Sequence, residues 1–269
     1  MKLKRAIAVI LAAVLVFFAF AGCKKQADEG RTLPVSDLEQ IEKNGKIIIG
    51  IVNKPPFTYT EDENGEWIGI DADLARDVAN KLGVKAEFKV IDANNIQFYL
   101  ETRVVDCVWS GIPVTDELKK NCSMTKPYAK NNQVLIVPKD EVSKVTTLDE
   151  LKSILSLTVA VVSGSPGEAV AVENGFRTNS VSDYNAVLRQ VLYKTSNVAI
   201  VDSFFADAMI YEGSEYESLA KSITVSEGEI AVCCRKNSDL TGKINSLLAE
   251  MTKSGNLNAI AQKYHITLS

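Results

Sequence analysis

The sequence predicts an α/β protein whose mainly parallel sheets are flanked by helices. Short β-branched runs alternate with amphipathic helical periods from Asp37 to Tyr264. Capping and turn residues punctuate the boundaries between them. Of the 269 residues 46 % are hydrophobic, and 30 Lys and Arg nearly balance 34 Asp and Glu. Such a composition fits a folded globular chain and excludes disordered, collagen-like and nucleic-acid-coating ones.

The chain opens with an address. Lys2, Lys4 and Arg5 precede an unbroken apolar run of 16 residues, Ala6 to Ala21. A spanning helix needs about 20 apolar residues, so residues 1–22 read as a signal peptide. The segment Phe20-Ala21-Gly22-Cys23 resembles the lipobox of bacterial lipoproteins, with Phe20 where that pattern prefers Leu. The resemblance implies acylation of Cys23, a membrane anchor and an extracytoplasmic location. A plain secretory signal or an uncleaved anchor is the alternative, and either also exports the domain. Residues 23–32 are polar and without periodicity, as suits a flexible tether. Losing residues 1–22 removes three cations and no anions, which takes the formal charge from −4 to −7. Nothing basic remains to attract nucleic acid.

The elements follow in order. Ser36 caps a helix with Glu39 three residues on, and Gly45 closes it. Lys46 to Val52 is a strand ended by Pro55-Pro56. Asp71 is placed to cap a helix carrying Leu74, Val78 and Leu82 on one face, stopped by Gly83. Val84 to Ile91 and Val104 to Trp109 read as strands, as does Val134 to Val137. Thr147 to Glu150 is a capping box, and Leu157 to Val162 is a buried strand entering the turn Ser163 to Gly167. Ser182 is placed to cap a helix through Val187, Leu188 and Val191. The strand Val198 to Val201 leads to Asp202, two further strands cover Ile223 to Val225 and Ile230 to Cys234, and a helix with Ile244, Leu247, Leu248 and Met251 follows.

Composition narrows the chemistry. His265 is the single histidine, which argues against a His-centred triad, a His-rich metal site or a proton relay. Cys107, Cys122, Cys233 and Cys234 show no CxxC spacing, so they are free buried thiols or include one bridge. No catalytic residue, metal site or cofactor is expected.

Five stretches, in this order, resemble the polar-amino-acid group of solute-binding proteins that serve bacterial ABC importers. They are Pro55-Pro56-Phe57 with Gly65 to Leu74 (GEWIGIDADL), Val105-Asp106 with Gly111 to Lys120 (GIPVTDELKK), Thr125 to Gln133 (TKPYAKNNQ), Val198 to Ser203 (VAIVDS), and Gly255 to Tyr264 (GNLNAIAQKY). The resemblance implies a two-lobed, periplasmic-binding-protein-like (type II) fold with two crossing strands and a ligand in the cleft. Lobe 1 would be residues 33–133 plus 226–269, and lobe 2 residues 134–225. The hinge would lie near Asn132 to Val134 and Val225 to Glu227. It further implies a small-molecule solute, ABC permease subunits as membrane partners, and a monomer.

Carried onto this chain, Asp202 matches the family's ammonium-binding Asp, against the alternative that it only caps the next helix. The carboxylate side departs from the pattern. Leu118 stands where the family has an Arg that pairs with the ligand carboxylate, Pro113 stands for a Thr, and Pro166 removes a backbone donor beside Ser165. Lys54 replaces an aromatic and reads either as a substitute cation or as a solvated loop lysine. Ser110 and Gly111 border the cleft, and Trp109 reads as an apolar wall or as core. Ser165-Pro166-Gly167-Glu168 resembles a capping box that satisfies its own donors, leaving less for an anion. These departures predict an amine-bearing solute with less anionic demand than a standard amino acid. Two other readings are a non-transporting receptor with a decayed cleft and a cyclohexadienyl dehydratase-like enzyme.

Overall fold

Two five-stranded sheets organise the chain. The computed structural model describes residues 36–61 and 65–268, so the expected leader, tether and lipid-attachment residue Cys23 lie outside the described residues. The first sheet runs Lys85–Val90, Lys46–Ile51, Cys107–Val108, Cys233–Cys234, Ser123–Met124. The second runs Leu219–Ser226, Gln133–Pro138, Val198–Asp202, Thr158–Val162, Arg177–Val181. Strand direction is more mixed than the alternation predicts. Lys46–Ile51 has two parallel neighbours, but Cys233–Cys234 pairs antiparallel on both sides. In the second sheet, Gln133–Pro138 is antiparallel to both of its neighbours. The antiparallel pairs arise where the chain crosses between sheets, because a crossing strand enters from the opposite end.

Period-two alternation buries both faces of each sheet. Ile47, Ile49, Ile51, Cys107, Trp109 and Cys234 face one core, which the C-terminal helices Leu240–Ser254 and Asn256–Gln262 complete. Val105, Val108 and Cys233 face the other core with Ile91 and Leu100. In the second sheet Val134, Ala160 and Val201 face one core, and Leu135, Val161 and Ile200 the other. Each sheet with its helices is a lobe. Between the two five-stranded sheets the chain passes through a small antiparallel pair, Ala129–Lys130 on the way out and Glu229–Ile230 on the return. The two crossings are bonded to each other, Asn131 N–H to the Gly228 carbonyl at 2.8 Å and Gly228 N–H to Asn132 Oδ1 at 3.1 Å.

Several expected caps are present. Ser36 accepts from Glu39 N–H, Gly45 closes that helix with φ 65°, and Thr147 and Glu150 form a capping box. Two differ. Asp71 does not cap the helix Ile70–Lys81; Gly69 does, with φ 117°. A Cβ on Gly69 would stand 2.3 Å from the Phe57 carbonyl oxygen, so only glycine makes this entry and Asp71 is carried into the first turn. Asp183, one residue after Ser182, caps Tyr184–Leu192 by accepting from Ala186 N–H at 2.8 Å. The strand expected over Val104 to Trp109 is ordered as a ladder only at Cys107–Val108.

Among the described residues the four cysteines, Cys107, Cys122, Cys233 and Cys234, are free and buried. Cys107 and Cys234 are cross-strand partners in one core, while Cys122 and Cys233 share the other. Burial pushes Cys107 well above its usual range and Cys234 up to about 12, so neither is a nucleophile at neutral pH.

The first described helix is fastened to the start of the helix Leu240–Ser254. Asp239 stands at the N-cap position of Leu240–Ser254, but its side chain makes no cap bond to that helix. Its carboxylate instead accepts from Ser36 Oγ, from Asp37 N–H at 3.0 Å and from Leu38 N–H at 3.2 Å. Asp37 in turn pairs with Arg103 at 2.7 Å and Arg235 at 2.6 Å. Asp239→Ala is expected to lower unfolding stability by about 1–2 kcal/mol, with Asp239→Asn in between. Urea melts with an unchanged m-value would measure it; identical midpoints for all three proteins would contradict the clamp.

Candidate functional site

The site is built on the carboxyl end of Val198–Asp202, where a strand end meets a cleft. Asp202 is 2 % exposed. It sits at the N-cap position of Ser203–Met209 yet makes no cap bond to it, which overturns the cap reading. Its Oδ1 accepts from Gln133 Nε2 at 2.8 Å and Asn131 Nδ2 at 3.0 Å. Its Oδ2 accepts from Tyr184 OH at 3.2 Å and lies 3.1 Å from Lys54 Nζ. Burial alone would raise the pKa of this group. The Lys54 charge and the Gln133 and Tyr184 hydrogen bonds outweigh it and hold the carboxyl below its usual range, so Asp202 is ionised at neutral pH.

Local sequence explains the convergence. Asn131 and Gln133 are two apart on an extended crossing, so both side chains emerge on one face. Lys54 is fixed by a tight turn: its N–H donates to the Thr58 carbonyl at 2.7 Å, and its carbonyl accepts from Phe57 N–H at 2.9 Å. Thr58 Oγ1 donates to the Val52 carbonyl at 2.7 Å and anchors the turn to the first sheet. Beside Asp202 is a cavity of about 180 Å³ lined by Lys54, Gly111, Gln133, Pro166, Glu227 and Glu229 among others. Gly167 lets the helix Pro166–Glu173 approach, since a Cβ there would stand 2.6 Å from the Ile200 carbonyl oxygen.

Of the expected site residues, Asp202, Lys54 and Gly111 line this cavity. Four do not. Ser110 is buried behind it, where its Oγ donates to the Val52 carbonyl at 3.0 Å. Trp109 is 1 % exposed in the first-lobe core, its ring 6.1 Å from Tyr128. Leu118 packs against the core of Ile96, Leu100 and Cys122. Ser165 caps the helix Pro166–Glu173 by accepting from Glu168 N–H at 3.2 Å. Glu168 accepts from Gly164 N–H at 2.7 Å rather than from Ser165, so the expected capping box is displaced by one residue. The expected division of labour also changes: Lys54 and Asp202 hold each other. Sequence reasoning missed Asn131, Gln133, Tyr184, Glu227 and Glu229. Polar residues at alternate positions of a crossing segment are the signal that finds Asn131 and Gln133.

Behind the cavity lies Asp71, fully buried, accepting from Tyr128 OH at 2.7 Å and Gly111 N–H at 2.5 Å. Burial pushes it up to about 7, against the opposing hydrogen bonds from Tyr128 and Gly111. Among the described residues no group of three His, Cys, Asp or Glu side chains could hold a metal ion, and no helix is long and apolar enough to cross a membrane.

Comparison with known proteins places the architecture. Residues 47–267 match the family described as bacterial extracellular solute-binding proteins, family 3. This chain belongs to that family. The arginine-binding extracellular protein ArtP of Bacillus subtilis (strain 168) is 28 % identical to this solute-binding protein over 225 residues, covering 81 % of this chain and 86 % of its own. The L-cystine-binding protein TcyJ of Escherichia coli (strain K12) is 26 % identical over 265 residues, covering 97 % and 95 %. An ancestral cationic amino acid solute-binding protein of known structure matches with a TM-score of 0.77 and 27 % identity, covering 86 % of this chain and all of its own. The solute-binding protein thus has the two-lobed type II periplasmic fold, and its location is extracytoplasmic.

Proposed function

We propose that this protein is the substrate-binding lipoprotein of an ABC importer. It captures a small amine-bearing solute between its lobes and delivers it to a membrane permease, anchored through Cys23. Lobe 1 is residues 33–133 plus 226–269, lobe 2 is residues 134–225, and the crossings near Asn132 to Val134 and Val225 to Glu227 are the hinge. The observation that carries the reading is Asp202: a buried carboxylate released from capping, aimed at a cavity and contacted there by a cation at 3.1 Å. Glu227 and Glu229 on the cavity wall add negative charge, which favours an amine over an acid. The substrates named for ArtP and for the ancestral protein, arginine and cationic amino acids, agree with that preference.

Binding by differential contact with the closed form converts ligand affinity into a shape change that a permease reads. A screen of amino acids and amines for rises in melting temperature tests the reading. An amine at 100 times its Kd is expected to add about 2.7 kcal/mol to stability, and Asp202→Ala is expected to weaken it about 30-fold or more, the cost of losing a buried charge-assisted contact. Submicromolar binding of glutamate, or full affinity in Asp202→Ala, would refute it. The internal Lys54–Asp202 pair is also what a non-transporting receptor with a decayed cleft would contain. In that case no compound shifts the melting temperature.

A further inference from the structure

Lys54 sits as a bound amine would sit. Its ammonium is 3.1 Å from Asp202 Oδ2, 5.0 Å from the centre of the Phe57 ring and 5.8 Å from that of Tyr184. A carboxylate with two aromatic faces is a complete recognition site for an organic ammonium. Lys54 belongs to the first lobe, Asp202 and Tyr184 to the second, so the contact spans the cleft. The turn bonds of Lys54 to Thr58 and Phe57 fix its backbone, and its side chain keeps 17 % exposure, enough for an exit into solvent.

We propose that Lys54 is an internal competitor for the amine site: its ammonium closes the ligand-free cleft on Asp202, and an incoming solute must displace it. The proposal rests on the amine-binding reading of Asp202. Its consequence is an affinity threshold. A side chain tethered a few bonds from the site competes at a high effective concentration whatever the solute. If the internal pair is made nine-tenths of the time, every amine binds about tenfold more weakly than to the freed site. A weakly complementary amine is thereby rejected, while one that also contacts Glu227 or Glu229 overcomes the competitor. Lys54 then sets an affinity threshold for the cleft through occupancy, while the ratio of affinities between amines is left to their contacts with the other wall residues.

Small-angle scattering of the ligand-free wild-type protein and of Lys54→Met provides the direct test, with Lys54→Gln as a second variant should the first fold poorly. The radius of gyration is expected to be larger in the variants, and both should bind L-arginine or 1,4-diaminobutane at least tenfold more tightly by calorimetry. Equal radii for wild type and variants would overturn the proposal, as would expansion with unchanged or weaker binding of these probes. Expansion with no binding of either probe to any of the proteins would support the internal latch and count against the amine-binding reading, which separates the two.

Discussion

Stability of the wild-type protein is expected to fall as pH rises from about 4 to 7, and Asp71→Asn is expected to flatten this slope. Asp71 is held up at about 7 in the folded chain against an ordinary value of 3.8. Between those values the folded chain keeps a proton that the unfolded chain has released. The contribution of Asp71 is therefore fully present below about 4 and lost as pH passes through 7. About 3 pH units at ~1.4 kcal/mol each make the effect on the order of 4 kcal/mol. Asp202 and Asp37 run the other way. Both are held below 3.8, so their contributions are present above that value and lost on further acidification. The net expectation is a stability maximum in mild acid. Denaturant melts of both proteins from pH 4 to 8 would measure it, and parallel curves would sink it. Asp71→Ala tests the hydrogen bonds separately: it leaves the Gly111 N–H and the Tyr128 hydroxyl without their acceptor, at an expected cost of about 2–4 kcal/mol.

Gly111→Ala should be similarly damaging. Gly111 has φ 59°, a left-handed conformation that costs other residues about 1 kcal/mol. A Cβ there would stand 2.7 Å from the Phe57 ring. That ring has no room to retreat, because it is fully buried and stacks on Phe204 at 5.5 Å. Overpacking adds about 1–3 kcal/mol, for a total near 3 kcal/mol by urea unfolding. Adding Phe57→Leu should return part of the overpacking but none of the backbone strain. A double-mutant cycle reads that coupling, and strict additivity would refute the clash.

The interior strands were legible because their chemistry is extreme. Lys46–Ile51 and Thr158–Val162 are β-branched runs between clear stops, and burial on both faces demands such runs. Arg177–Val181 was not legible. It is an edge strand with exposed and half-buried residues, so its Arg-Thr-Asn-Ser-Val sequence carries no apolar signal. The position of Asp202 followed from strand and motif, and Lys54 was singled out because it interrupts an aromatic pattern. Their union was not readable, because two residues so distant in sequence meet only when the lobes do. Leu118 shows the converse limit. A departure from a family pattern says what a position has lost, but its new contacts in a hydrophobic core are a matter of packing.

The clamp at Asp239 governs how the molecule bears load. Tension entering at Ser36 passes at once into the last long helix and, through Asp37, into Arg103 and Arg235. A pull at Ser36 is thereby shared among these contacts instead of falling on one helix. The second sheet and its helices contribute none of these contacts.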